Sequence, residues 1–90
     1  YKIDKAYPNP FNPSITILYT LSDNVLVEGS IFDISGKRVK TIFKEKQNAG
    51  KKMARWNGKS QDGTIMSAGI YYFRLSTGNQ LKTIKLLMVK

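Results

Sequence analysis

The sequence predicts an all-β protein, built as one antiparallel sandwich of about seven strands. Apolar and polar residues alternate over short segments, turn residues separate these segments, and no stretch shows a helical period. A chain of 90 residues with 41% hydrophobic residues is enough for one modest core. We therefore expect a single domain.

All three prolines lie in a short lead-in, YPNPFNP (Tyr7–Pro13). Because proline lacks an N–H and restricts the residue before it, this lead-in is predicted to be extended or turning. Within it, Phe11 is a candidate to close the end of the core. Residues 1–6 are either the end of an upstream linker or a short first strand at Ile3–Ala6. The lead-in is followed by the strand Ser14–Leu21, whose predicted inner face consists of Ile15, Ile17, Tyr19 and Leu21.

The middle of the chain predicts two further strands joined by a turn. The segment Val25–Ile34 alternates, and its predicted inner residues are Val25, Val27, Gly29 and Ile31. Gly36 lies in the following turn, where glycine can adopt a positive φ. The segment Arg38–Glu45 is amphipathic, but Val39 and Ile42 do not share strand parity. The inner face of this strand is therefore mixed.

A fifth strand is predicted at Lys51–Asn57, with Met53 and Trp56 as its candidate core residues. A glycine-bearing loop, Asn57–Gly69, follows. Its oxygen-bearing side chains resemble a calcium loop only superficially, since it contains the single carboxylate Asp62 and a lysine in its middle. We interpret it as a connection between strands.

Two strands complete the count. The segment Ile70–Thr77 places Tyr71, Phe73 and Leu75 on one face. A tight turn with positive φ is predicted at Gly78–Asn79. The last strand is predicted at Gln80–Lys90, where Ile84, Leu86 and Met88 are the apolar set. Seven short strands with short connections are typical of an immunoglobulin-like sandwich.

The net charge of +9 comes from 15 Lys and Arg against 6 Asp and Glu. Such an excess favours anionic partners in general. However, only three of the basic residues are arginines, the residue type best suited to form paired hydrogen bonds with bases and phosphates. The lysines are spread over nearly every segment. We expect no nucleic-acid partner. No apolar run is long enough for stable membrane insertion.

The sequence contains few of the residue types on which enzyme catalysis commonly depends. The sequence contains no histidine and no cysteine, which removes the commonest general base and the commonest metal ligands. The six acidic residues are dispersed, and no two lie close in sequence. We therefore expect a non-enzymatic domain without cofactor or metal.

Four stretches taken together resemble one family. They are YPNPFNPS, VEGSIFDISGKRVKTI, ARWNGKSQDGTIMSAGIYYFRL with its Gly69-x-Tyr71 step, and the terminal KTIKLLMVK. This combination resembles the type A C-terminal sorting domain of the type IX secretion system. It is also similar to the immunoglobulin-like domain of the flagellar hook-capping protein, which shares the W-[DN]-G…G-x-Y region. The resemblance extends from Ala6 to Lys90.

The resemblance implies a function, partners and a location. Residues 7–90 would be a non-catalytic secretion signal that directs a covalently linked upstream cargo across the outer membrane. The implied partners are the outer-membrane secretion translocon and a sortase-like peptidase that removes the domain, with cargo release or attachment to the cell surface. The implied location is the periplasm in transit and then the exterior or cell surface.

The candidate sorting residues follow from the motif positions and the terminal strand. They are Pro8, Asn9, Pro10, Gly36, Gly69, Tyr71, Lys85, Leu86, Leu87, Met88, Val89 and Lys90. An edge strand at this position can accept an added strand from a receptor or from a second copy of the chain. Plain folding roles remain open for Gly69 and Tyr71. Gly29 departs from the family, which usually has a large apolar residue there, and is predicted to mark a bulge or a close approach by the facing sheet.

Two other functions remain open at this point. One is a structural or adhesive immunoglobulin-like module of an extracellular protein, such as a filament or spacer domain. The other is a carbohydrate-binding module, which would need an exposed aromatic platform, with Tyr7, Phe32 and Tyr72 as its candidate residues.

Overall fold

Two antiparallel sheets pack face to face in the computed structural model, which describes residues 1–89. Its strands are β1 (Lys2–Tyr7), β2 (Ile15–Leu21), β3 (Val25–Asp33), β4 (Arg38–Gln47), β5 (Gly50–Trp56), β6 (Gly69–Ser76) and β7 (Leu81–Met88). The three-stranded sheet has the order β1-β2-β5, and the four-stranded sheet has the order β4-β3-β6-β7. The prediction of a single all-β, immunoglobulin-like sandwich is confirmed. No helix in the described residues is long and apolar enough to cross a membrane.

Of the two alternatives for the start of the chain, the structure has the short first strand. Strand β1 pairs antiparallel with β2 and forms one edge of the three-stranded sheet. The starts of β2, β4 and β6 and the ends of β1, β3, β5 and β7 all lie at one end of the sandwich, because every pair within a sheet is antiparallel and Trp56 at the end of β5 contacts Tyr71 near the start of β6. We call this the lead-in end.

The core lies between the inner faces that the alternation predicted. The four predicted inner residues of β2, together with Tyr71, Phe73 and Leu75 of β6, are each at most 5% exposed. At the lead-in end the Trp56 ring lies between two other aromatic rings, with centroid distances of 5.7 Å to Phe11 and 5.1 Å to Tyr71. Phe11 is 1% exposed, so its predicted role in closing the core is confirmed.

Two local predictions were wrong. Met53 is 64% exposed, whereas Trp56 is fully buried. The two residues are three positions apart, and since successive side chains of a strand alternate, only one of them can face inward. The turn between β6 and β7 is also different, because neither Gly78 nor Asn79 has a positive φ. The connection is instead closed by a hydrogen bond from the Thr77 N–H to the carbonyl of Gln80 (3.0 Å).

The mixed pattern of β4 has its cause in two register shifts against β3. Gly29 pairs with Phe43 and Ser30 with Thr41, which leaves Ile42 as an extra residue. Ile31 then pairs with Lys40 and Phe32 with Arg38, which leaves Val39 as a second extra residue. After each extra residue, the side chains of β4 that would have pointed inward point outward, and the reverse. Val39 and Ile42 therefore both pack against the core, although they are an odd number of positions apart in the strand.

Gly29 provides the space for an aromatic ring. A Cβ atom placed on Gly29 would lie 2.5 Å from Cζ of Phe43 and 3.0 Å from Cε1 of Phe73. The Phe43 ring lies over this glycine and stacks on Tyr19 of the other sheet, with centroids 5.6 Å apart. Gly29 thus does mark a close approach and adjoins a bulge, but the approaching ring comes from the neighbouring strand of the same sheet.

Replacing Gly29→Ala is expected to lower the free energy of unfolding by about 1–3 kcal/mol, because the new methyl group must displace the Phe43 ring from its stack. Chemical denaturation measures the change. In a Phe43→Ala background the same substitution is expected to cost clearly less, since the closer ring is gone and only Cε1 of Phe73, 3.0 Å from the new Cβ, still has to shift. Equal losses in both backgrounds would contradict the close-approach explanation.

Candidate functional site

The lead-in lies along the outer edge of β7, the last strand of the chain. The Phe11 N–H donates to the carbonyl of Leu87 (2.9 Å), and the Val89 N–H donates to the carbonyl of Phe11 (2.9 Å). Phe11 and Met88 thereby form a parallel bridge. The lead-in therefore adds one isolated bridge at this edge, and Phe11, which supplies its backbone bonds, also buries its ring in the core.

Asn9 extends this pairing with its side chain. Its Nδ2 donates to the carbonyl of Lys85 (3.1 Å), and its Oδ1 accepts from the N–H of Leu87 (3.0 Å). A carboxamide offers one acceptor oxygen and donor hydrogens, as a peptide group does, so it can replace a backbone unit in a ladder. The flanking Pro8 and Pro10 are exposed and have no N–H to donate. The lead-in and Asn9 together close the edge of β7 from Lys85 to Val89.

The candidate residues of the terminal strand separate into two sets. Leu86 and Met88 are core residues, at 0% and 5% exposure. Lys85, Leu87 and Val89 face outward, with Leu87 at 38% and Val89 at 40% exposure. Lys90 lies outside the described residues. Only the outward set can offer side chains to a partner while the domain stays folded.

Gly69 and Tyr71 begin β6 at the same end. Gly69 has φ 148° and pairs in register with Met88. Tyr71 is 5% exposed, and its hydroxyl donates to the carbonyl of Ser67 (2.6 Å). Burial raises the pKa of this hydroxyl, and the negative charge of Asp33 adds to the shift. Both residues adjoin the lead-in end of β7, and both have clear structural roles.

Gly36 is not brought together with the other candidates. It has φ 89° in the exposed β3–β4 turn, and β4 and β3 are separated from β7 by β6. The Asp33 carboxylate closes this turn by accepting from the backbone N–H groups of Ser35 and Lys37 (2.9 and 3.0 Å). The hydrogen bond from the Ser35 hydroxyl is the largest cause that lowers the pKa of Asp33.

A second amide, which the sequence did not indicate, covers part of the opposite edge of the same sheet. Gln61 donates its N–H to the carbonyl of Val39 (2.9 Å), and its Oε1 accepts from the N–H of Thr41 (2.9 Å). Strand β4 is thus covered at this edge much as β7 is. The available signal was an amide in a polar loop next to a strand, which is too common to be specific.

The loop that carries Gln61 is organised by its own side chains. The Trp56 Nε1–H donates to the carbonyl of Lys59 (2.8 Å). The Asp62 carboxylate accepts hydrogen bonds from the hydroxyls of Ser60 and Thr64 and from the Thr64 N–H. These bonds, that of Ser60 first, lower the pKa of Asp62 from 3.8 to about 2. Within residues 1–89, no three potential ligand side chains are grouped in a way that would hold a metal ion.

The three aromatic residues considered for a sugar platform do not form one. Phe32 is 7% exposed and lies beneath arginine side chains. Tyr72 is half-buried on the outer face of the four-stranded sheet. Tyr7 is 44% exposed and belongs to the other sheet. Phe32 and Tyr72 are neighbours on one face, but the Phe32 ring is covered by arginine side chains and Tyr7 lies on the other sheet, so the three rings do not form an open platform for one saccharide.

The family model of the FlgD Ig-like domain matches residues 13–80, most of the chain. The chain belongs to this family. The match includes five of the seven strands, β2 to β6, and leaves out β1 and β7. The edge formed by the lead-in and β7 therefore lies largely outside the part of the chain that the family model matches.

Two solved structures resemble this chain in fold. One is dimeric latent PorU from Porphyromonas gingivalis, with a TM-score of 0.74 and 19% identity over 97% of this chain and 9% of that one. The other is PorZ, described as an essential bacterial surface component of the type IX secretion system of the same organism, with a TM-score of 0.63 and 19% identity over 98% of this chain and 11% of that one. The chain thus spans about a tenth of either protein. No curated protein matches it.

The substitution Asn9→Ala is expected to lower the free energy of unfolding by about 1–2 kcal/mol, because both hydrogen bonds to β7 are lost. Amide hydrogen exchange of Leu87 should become faster, since its partner is gone. Denaturation and exchange followed by NMR measure both effects. The matched control is Asn12→Ala, an exposed asparagine that also precedes a proline and is expected to change neither. An unchanged Leu87 exchange rate in Asn9→Ala would contradict the pairing of the Asn9 side chain with β7.

The Asp62 carboxyl is expected to titrate with a pKa of about 2 in the folded domain. Since this value is lower than 3.8, the loop gains stability that is complete above pH 3.8 and is lost as the pH falls through about 2. The substitution Ser60→Ala should raise the pKa toward 3.8, because the largest cause of the shift is removed. Carboxyl chemical shifts recorded against pH measure both values, and an unshifted pKa in the unmodified domain would refute the assignment.

Proposed function

We propose that this chain is a non-catalytic C-terminal sorting domain of the type IX secretion system. The observation that carries the proposal is the likeness in fold, over 98% of the chain, to a segment of PorZ, a surface component of that system. The lead-in, the W-N-G and G-x-Y steps and the basic terminal strand support the same conclusion through their resemblance to the sorting family.

The geometry of the two chain ends suits this role. Tyr1 lies at the end opposite the lead-in, where its hydroxyl donates to the carbonyl of Leu75 (3.3 Å). Strand β7 ends at the lead-in end, and the domain is 37 Å along its long axis. A cargo joined upstream of Tyr1 would therefore leave the outward residues Lys85, Leu87 and Val89 accessible to the translocon.

In this proposal the domain is recognised in its folded state and is a substrate rather than a catalyst. The cargo enters the periplasm, the translocon recognises the domain, and a sortase-like peptidase cleaves upstream of it as the cargo reaches the exterior or the cell surface. The lack of histidine and cysteine in the sequence and the dispersal of its acidic residues support a non-enzymatic role.

A surface-delivery assay tests the proposal. The domain and its upstream linker are fused behind a signal peptide and a reporter in a bacterium that has the system. The unmodified fusion is expected at the cell surface. The triple variant Lys85→Ser, Leu87→Ser and Val89→Ser is expected to remain in the periplasm, because all three side chains face outward at the proposed recognition edge.

The matched control changes similar residues elsewhere on the surface, namely Lys51→Ser, Leu26→Ser and Met53→Ser. This control should reach the surface, and both variants should keep a cooperative thermal transition. Periplasmic retention of the unmodified fusion would count against the sorting role. Normal delivery of the triple variant would count against β7 as the recognised edge. Deletion of residues 86–90 is unsuitable, because Leu86 and Met88 are core residues.

A structural module of an extracellular protein is the second candidate, and the family match to the FlgD Ig-like domain favours it. Under this alternative the domain stays in the mature protein. Peptide mapping of the secreted protein distinguishes the two, since a sorting domain is removed and a structural module is retained.

A further inference from the structure

An arginine with no acidic partner lies at the centre of the outer face of the four-stranded sheet. Arg74 is the sixth residue of β6 and pairs with Ser30 of β3 and Thr83 of β7. The central carbon of its guanidinium lies 4.1 Å from the centroid of the Phe32 ring. Its Nε is buried and has no hydrogen-bond partner among the described residues. The ring therefore holds this side chain in place and removes part of its hydration.

A second arginine lies near the same ring. The guanidinium carbon of Arg38 is 5.5 Å from the Phe32 centroid, and its nitrogen lies 3.1 Å from the Glu28 carboxylate. Glu28 also accepts a hydrogen bond from the buried Ser30 hydroxyl (3.0 Å). Among residues 1–89, the carboxylate that forms an ion pair with one of these arginines is that of Glu28, and it is thus already engaged. Within residues 1–89, no carboxylate lies within ion-pair distance of Arg74.

The register adds two more residues to this face. Tyr72 is directly opposite Phe32 on one side and Lys85 on the other. We define the arginine cluster as Phe32, Arg38, Tyr72, Arg74 and Lys85. It has three positive charges, and the adjacent Glu28 contributes one negative charge. The face is therefore positively charged around a rigid aromatic centre.

Such an arrangement favours binding of a carboxylate. A guanidinium already fixed by stacking loses little conformational entropy when it forms a two-point contact with a carboxylate. Because the group is partly desolvated, its attraction to an opposite charge is less screened than that of a freely hydrated lysine. Arg74 is better prepared for this contact than the exposed lysines elsewhere on the domain.

We propose that the arginine cluster is a docking surface for an acidic protein partner, which places an Asp or Glu carboxylate on the terminal nitrogens of Arg74 while Tyr72 packs beside it. Arginine and aromatic residues predominate at the centres of protein interfaces, whereas lysine is depleted there. The cluster has this composition. A second copy of this chain is an unfavourable occupant, because its net charge is +9.

The outer face of the other sheet provides the contrast. It carries Lys2, Lys5 and Lys51, with Arg55 exposed beside them on β5. A flexible anionic polymer bound through general charge would use this face at least as well. The proposal concerns the face of the folded domain and does not depend on the sorting role.

An NMR titration of the isotope-labelled domain with a hexaglutamate peptide tests the docking surface. The largest shift changes are expected at the Nε–H of Arg74 and at the amides of Phe32, Arg38 and Tyr72. The substitution Arg74→Gln is expected to weaken binding about tenfold or more, because a charge-assisted contact is lost. The substitution Arg74→Lys should weaken binding too, since it keeps the charge but not the planar fork.

The matched control is Arg55→Gln, which removes the same charge from the other face and is expected to leave the affinity within about twofold, as an exposed charge contributes little. Thermal unfolding verifies that each variant is folded. Equal weakening by Arg55→Gln and Arg74→Gln, or shift changes spread over the lysines, would overturn the proposal. Tighter binding of polygalacturonate or polyphosphate at the cluster would overturn the choice of a protein partner.

Discussion

The seam between the lead-in and β7 is the interaction on which the rest of the domain depends. A small sandwich without disulfide bonds is stabilised by packing and by pairing its backbone groups. Phe11 does both, because its backbone pairs with Leu87 and Val89 while its ring covers Trp56. Asn9 extends the pairing to Lys85. The first loop and the last strand thereby hold one end of the sandwich together.

The same device covers part of both edges of the four-stranded sheet. An exposed edge strand offers unpaired N–H and C=O groups to other chains and favours aggregation. Here the carboxamide of Asn9 covers part of β7, and the backbone and carboxamide of Gln61 cover part of β4. The remaining outer edge of β7, toward Leu81, has no such cover from the lead-in. Strand addition to a partner, if the domain uses it, has to begin there.

Alternation along the sheets separates stability from recognition. On β7, Leu86 and Met88 stabilise the core, while the residues between and beside them face outward. On β6, Phe73 is fully buried, and its neighbour Arg74 belongs to the opposite face. A partner can therefore be gained or lost through outward residues with little change in the core. The two proposed surfaces, the edge of β7 and the arginine cluster, share Lys85.

The alternation of apolar residues by itself determined the sandwich, its strands and most of its core, because a two-residue period leaves a strand only one way to bury its apolar side. The three prolines likewise determined that no long strand forms in the lead-in, because proline has no N–H to donate to a ladder. Only the tertiary structure decided the facing of β4, where insertions at Val39 and Ile42 change the parity. It also decided which strand edge Asn9 closes and that Phe32 would support Arg74. Those outcomes depend on contacts between residues far apart in the chain, which a local pattern does not encode.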